Sequence, residues 1–218
     1  MVQNAEVVRR PRGRPPVRSE AVTRHLVVEA ARGAFQEHGY AATSMNDVAR
    51  RAGVSTRTMY RLIPTKEDLL RSVVSDRIGR FMPQIDANAL EELPLPDALE
   101  RMLVAYGALT LSKDTIAMNR LVLAEGDHFP EIAAAFYEVA VLRTSQAMAG
   151  FLQRQCDRGL IRLEDVQAAT GMLRGMMIME PQRAVMMGRR DVPNPADIAV
   201  RARYCTRLFL DGCRVAAP

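Results

Sequence analysis

The sequence predicts an all-α protein: an N-terminal three-helix helix-turn-helix domain, then a larger helical domain. Three observations predict the helical class. Apolar residues recur at three- and four-residue spacing, and no β-branched alternation argues for a sheet. Helix starts are marked by a capping residue with an acid three positions on, as at Ser44/Asp47, Thr65/Asp68 and Asn194/Asp197. The stretch Ser44 to Leu69, SMNDVARRAGVSTRTMYRLIPTKEDL, reads as a short helix, a tight turn, a second short helix and the start of a third.

Taken in order, residues 1–18 form a basic arm, with too little apolar content around Arg9-Arg10-Pro11-Arg12-Gly13-Arg14-Pro15-Pro16 to fold alone. Arg12-Gly13-Arg14-Pro15 resembles the core of an AT-hook, in which Gly lets the backbone approach a minor groove and arginines favour its negative potential. A cationic tail of purely salt-sensitive affinity is the equal alternative. Helix 1 runs from about Ser19 to His38 with Val27, Ala31, Ala34 and Phe35 on its core stripe, and Gly39 closes it. Ser44 caps the second helix, whose apolar face is Val48, Ala49 and Ala52; Gly53 ends it and Val54 plugs the turn. Ser55 caps the third, where Met59 and Ile63 face the core. Thr56, Arg57, Thr58, Tyr60 and Arg61 then point outward, with no acid among them. Pro64 stops that helix, and a fourth, from about Thr65 to Met82, links the reader to the rest of the chain.

Pro83 and the stretch from Asn88 to Pro96 mark a boundary between domains at 19–82 and 83–218. Helices follow at about Leu95–Leu111, Asp114–His128 and, in one long run, Pro130–Arg158 with Gly159 closing it. Glu164–Glu180 comes next, with Pro181 forcing a break or kink. The last helix opens with Asn194 as cap and Pro195 in its first turn, and runs to about Cys213.

Composition narrows the function. The net charge of +5 is uneven: residues 1–80 hold 15 Arg/Lys and 8 Asp/Glu, giving +7, and the remainder is −2. Positive charge therefore gathers with the helix-turn-helix, as a phosphate-binding footprint requires. No run of 18 apolar residues suggests a membrane span, no apolar segment follows the N-terminal arginines, and a cytoplasmic protein is expected, nucleoid-associated when bound. Cys156, Cys205 and Cys213 are odd in number with no CxxC and read as small core hydrophobes; redox sensing would fall to Cys156, between Arg154 and Arg158. Three scattered histidines give no metal-ligand spacing, so no metal or cofactor is expected. A catalytic reading would have to use Glu125, Asp127 and His128, which have no nucleophile or base motif to partner them, so no enzyme is expected.

A major groove admits one α-helix and shows each base pair a distinct donor and acceptor pattern, which the acid-free face suits. An ordinary helical corner would use the same Gly53 and Val54. The surroundings decide between them. Ala30-Ala31, Phe35, Gly39-Tyr40, Thr43-Ser44, Asp47-Val48-Ala49, Ala52-Gly53-Val54-Ser55, Met59-Tyr60-Arg61 and Pro64-Thr65-Lys66-Glu67 stand at fixed spacing over about residues 20–80. On these residues the chain resembles the TetR/AcrR family of bacterial transcriptional regulators. One departure is Leu62-Ile63, where the family often has His and then Phe or Tyr; Leu62 cannot donate to a phosphate. The C-terminal part, through Arg120 to Glu125, Phe129-Pro130-Glu131 and Phe136-Tyr137, resembles the AefR-like subgroup.

The resemblance implies a homodimeric, ligand-responsive repressor on a palindromic double-stranded DNA operator. Thr56, Arg57 and Thr58 would face base edges, while Thr43, Tyr60 and Lys66 would hold phosphates. Ser44, Ser55, Arg61 and the arm's Arg12 and Arg14 complete the candidate DNA-binding set. The family's central helices enclose a small-molecule cavity. Here an adaptable Met-rich, aromatic lining of Met102, Tyr106, Phe129, Phe136 and Met176 is expected to take a small hydrophobic effector. An Arg120–Glu125 pair is expected to tie two helices together. The last two long helices, about 164–180 and 195–213, would form the dimer interface. Their apolar residues are Val166, Leu173, Met176 and Met177, then Ile198, Ala202, Cys205, Leu208 and Phe209; packing within their own domain is the plainer use. An activator of the same fold and an architectural DNA-binding protein remain the alternatives.

Overall fold

The computed structural model describes residues 18–85, 90 and 92–213, and among them the chain is helical with no sheet. The expected arm, Arg12 and Arg14 included, lies outside the described residues. Helix α1 spans Glu20–Ala42, capped by Ser19, whose hydroxyl oxygen accepts the Val22 N–H. Val27, Ala31, Ala34 and Phe35 are buried along it. Its regular path ends at Gly39, where φ is +79°. Helices α2 (Met45–Ala52) and α3 (Thr56–Leu62) follow, joined through Gly53 at φ +64°. The Gly53 N–H closes α2 on Ala49 and Arg50 carbonyls, a left-handed C-cap. Helix α4 (Lys66–Phe81) starts at Thr65, which accepts the Asp68 N–H at 3.0 Å, and crosses from the reader into the second layer.

There α5 is Leu95–Thr110 and α6 is Lys113–Glu125, the latter capped by Ser112. The long run expected from Pro130 is present as α7 (Pro130–Phe136), a π-helical turn (Tyr137–Leu142) and α8 (Arg143–Asp157). Helices α9 (Val166–Met186) and α10 (Pro195–Cys213) complete the chain. Asn194 and Asp197 cap α10 reciprocally, each accepting the other's N–H. A continuous apolar core runs from α1 through α4 into α5, α9 and α10.

Pro181 does not break α9, which runs on to Met186. A proline withholds its N–H from the carbonyl four residues back, here that of Met177. Arg201 of α10 supplies the replacement: its Nε donates to the Met177 carbonyl at 2.8 Å, and its Nη2 to that of Met176 at 2.8 Å. The helix can therefore continue because a neighbour satisfies what the proline cannot. Arg120 likewise closes the end of α9, donating to the Val185 and Met186 carbonyls, and does not pair with Glu125 as expected.

The apolar faces expected for dimerisation mostly serve the chain's own core. Leu173, Met177, Ile198, Ala202 and Cys205 are buried against α5 and its neighbours. What α9 and α10 leave outward is Met172 and Met179, then Val200, Tyr204 and Leu208, each more than half exposed, of which only Leu208 belongs to the expected faces. These recur every seven and every four residues, so each set forms one stripe.

Candidate DNA-reading face and ligand cavity

The candidate reading face is built by two caps. Ser44 Oγ accepts the Asp47 N–H at 3.1 Å and donates to the Asp47 carboxylate at 2.6 Å. That hydrogen bond, with Arg50 beside it, holds the Asp47 carboxyl below the usual range. Ser55 Oγ accepts the Thr58 N–H and shares a 2.8 Å hydrogen bond with the Thr58 hydroxyl. The two caps leave Ser44, Ser55 and half-buried Thr58 engaged locally, setting where α2 and α3 begin. Thr56, Arg57, Tyr60 and Arg61 are exposed, and Met59 and Ile63 are fully buried beneath them. Arg57 has no hydrogen bond or ion pair among the described residues. Arg61 reaches Glu20 at 3.3 Å.

Two residues assigned to phosphates have other work. Thr43 is buried, and its hydroxyl donates to the Gly39 carbonyl at 2.7 Å, so its side chain cannot meet DNA as expected. The Lys66 ammonium donates to the Ala41 carbonyl and lies 4.4 Å from the Tyr40 ring centroid. Burial lowers its pKa, with Glu125 and Glu131 acting against that shift. Both residues sit at the joint between the reader and the second layer: α1 turns at Gly39, and Phe129 packs edge-on against Tyr40 at 5.4 Å. Arg24, absent from the candidate set, closes the end of α3 by donating to the Leu62 carbonyl.

A cavity of about 230 Å³ lies between α1, α4, α5, α6, α7, α8, α9 and the π-helical turn. Tyr106 and Phe136 line it. Met102 does not; it is fully buried in the core of α5. Phe129 faces Tyr40 at the joint, and Met176 packs on the core through α9, so neither reaches the cavity. Of the methionines, Met118 lines it. The residues missed include Val73, Val74 and Arg77 from α4, Asn119 from α6, Thr144 from α8, and Arg174 and Ile178 from α9. The π-helical turn helps form this wall: it carries Ala140 and Val141 to the cavity. Arg174 had a visible signal, as the one charge inside the run GMLRGMMIM. Its Nε donates to the Tyr106 hydroxyl at 3.0 Å, and its guanidinium lies 5.4 Å from that ring's centroid. Burial raises the Tyr106 phenol's pKa, opposed by Arg174.

Cys205 is buried and its thiol pKa is pushed up by that burial; no disulfide joins the three cysteines. No group of His, Cys, Asp or Glu among the described residues could hold a metal ion. None of the described helices is long and apolar enough to cross a membrane.

Residues 97–212 match the model of the AefR-like transcriptional repressor C-terminal domain, and residues 27–73 match that of bacterial regulatory proteins of the tetR family. The chain belongs to the TetR family. Members of that family are DNA-binding, non-enzymatic transcriptional regulators. The HTH-type transcriptional repressor ComR of Escherichia coli (strain K12) is 33% identical over 52% of this chain and 53% of its own length. The putative mycofactocin biosynthesis regulator MftR of Mycobacterium tuberculosis is 28% identical over 44% and 48%. The chain thus spans about half the length of the curated relatives it matches. A TetR-family regulator from Mesorhizobium loti superimposes with a TM-score of 0.78 at 26% identity, over 91% of this chain and all of that one. The flavonoid-responsive regulator FrrA does so at 0.68 and 26%, over 90% and 100%.

Proposed function

We propose that this TetR-family regulator is a homodimeric repressor, released from a palindromic operator by a small hydrophobic effector bound in the α4–α9 cavity. Residues 19–82 would read DNA and residues 83–218 would bind the effector and dimerise. The observation that carries the reading is α3: an exposed face with no acid and with Arg57 unpaired among the described residues, over a fully buried floor of Met59 and Ile63. Thr56 and Arg57 would meet base edges, Arg57 suiting the O6 and N7 of guanine. Tyr60 and Arg61 would hold phosphates, and the arm's Arg12 and Arg14 would add a groove or phosphate contact.

Dimerisation through α9 and α10 is supported by the exposed stripes of Met172 and Met179 and of Val200, Tyr204 and Leu208. An added Cβ at Gly171 or Gly175 would meet nothing within 4 Å, leaving room for a second helix to approach α9. Two copies would place two reading helices on half-sites a helical turn or more apart, multiplying specificity. An effector in the cavity would favour a dimer whose reading helices are wrongly spaced, by no more than its differential affinity for the two states.

The test is selection of random duplexes on the purified protein, with sizing of the complex and a promoter-reporter assay. An inverted repeat bound by an even number of chains, with reporter output lowered, supports the repressor. Raised output would make it an activator; binding without sequence preference would make it an architectural protein.

A further inference from the structure

The geometry points to an anionic effector: a compact amphipathic carboxylate whose head group is held by Arg174 and Tyr106. This deepens the effector-responsive reading above and rests on it. Arg174 carries a permanent charge into a largely apolar cavity, half-buried, and has no carboxylate partner among the described residues. Its contacts are hydroxyls, the Tyr106 oxygen at 3.0 Å and the Thr144 oxygen at 3.5 Å. The Thr144 proton goes to the Ala140 carbonyl at 2.7 Å, so that hydroxyl only accepts from the guanidinium. The Tyr106 oxygen accepts from Arg174, and its own proton has no acceptor among the described residues.

The cavity's acids are committed elsewhere. Asp114 faces Arg77 at 3.4 Å and Arg32 at 3.6 Å, and Asp76 pairs with Arg80 at 2.7 Å. A charge taken out of water without a partner is costly, and a guanidinium can give a carboxylate two parallel N–H donors. A ligand carboxylate on Arg174, with the Tyr106 O–H as a third donor, satisfies all of these groups together.

Size sets the rest of the molecule. An apolar cavity of about 150 Å³ holds benzene, and drug-sized pockets begin at about 300 Å³. A cavity of about 230 Å³ therefore fits one aromatic ring or a medium alkyl chain with its head group. Phe136, Met118 and Ile178 supply the apolar wall for that tail.

The test uses the full chain, its selected operator, and four probes in two matched pairs: octanoate and octanamide, 4-phenylbutyrate and 4-phenylbutyramide. Calorimetry should show at least one carboxylate binding about tenfold tighter than its amide, and that carboxylate should release the operator. Arg174→Met should remove the preference by weakening the carboxylate and sparing the amide, and Arg174→Lys should keep part of it. Circular dichroism and operator binding check that the variants fold; if Arg174→Met does not, the native chain's carboxylate-to-amide ratio decides. Amides that bind as tightly as the acids and release DNA overturn the anion site but leave effector response intact. If none of the four binds, the anion site is overturned. Neutral 1-octanol and naphthalene in the same assay then decide whether the cavity responds to any small hydrophobe.

Discussion

Glu125 grips the backbone of Tyr40 from 85 positions away. One carboxylate oxygen accepts the Tyr40 N–H at 2.8 Å and the other accepts the Ala41 N–H at 2.7 Å. The site is cut close: a Cβ at Gly39 would stand 2.6 Å from the same carboxylate. Glu125 ends α6, whose earlier turns carry Met118 and Asn119 to the cavity, about 9 Å away along the helix axis. One helix, α6, thus both lines the cavity and holds the end of α1.

Removing that grip should be felt in stability. Glu125→Ala leaves two backbone donors to water or to nothing, and should lower unfolding stability by about 1–3 kcal/mol. Urea denaturation at neutral pH measures it. Gly39→Ala should cost at least as much, because φ is +79° there and the added methyl meets the carboxylate. An unchanged urea midpoint for Glu125→Ala would mean water replaces the carboxylate without loss.

Arg57→Ala should lose discrimination at one base position, by about 1–3 kcal/mol. Competition binding over single-base operator variants reads this directly. Uniform weakening across all variants would reassign Arg57 to a phosphate.

Deleting residues 1–14 removes Arg9, Arg10, Arg12 and Arg14. The slope of log affinity against log salt should fall, since each lost phosphate contact removes about 0.9 from it. An identical slope would leave the arm without a part in binding.

Arg201 and Pro181 should prove coupled. Arg201→Met strands the Met177 carbonyl and should cost about 1–3 kcal/mol. Pro181→Ala restores an N–H to Met177, so Arg201→Met should cost less in that background. A double-mutant cycle measures the difference; strict additivity would show that Arg201 acts elsewhere.

Tyr40 gives a pH signature. Burial first, then the charges of Glu131, Glu67 and Glu125, push its phenol up to about 12. The raised value favours the neutral form in the folded state. Its stabilisation is therefore complete below the ordinary tyrosine pKa of about 10 and is lost as pH rises toward 12. Absorbance titration should lose its highest-pH component in Tyr40→Phe, and the variant's stability should fall less over that window.

The reader was legible in the sequence because its signals are local. Ser44, Ser55 and Thr65 each cap a helix through the N–H three residues on, and Gly53 supplies the positive φ its turn requires. The same locality misled at Thr43 and Pro181. Thr43 looks like a surface hydroxyl until Gly39 turns the chain so that its oxygen points inward, and Pro181 looks like a helix end until Arg201 is set beside it.

What the sequence alone determined is therefore the helical class, the helix starts, and the outward, acid-free face of α3, all written within four residues of themselves. Tertiary structure decided the rest. The cavity is the space left between helices far apart in the chain: Arg174 meets Tyr106 across 68 positions, and Met102 and Phe129 are turned to other neighbours. Helical periodicity tells which residues share a face, but only packing tells which face closes on the core, which on a cavity, and which stays open.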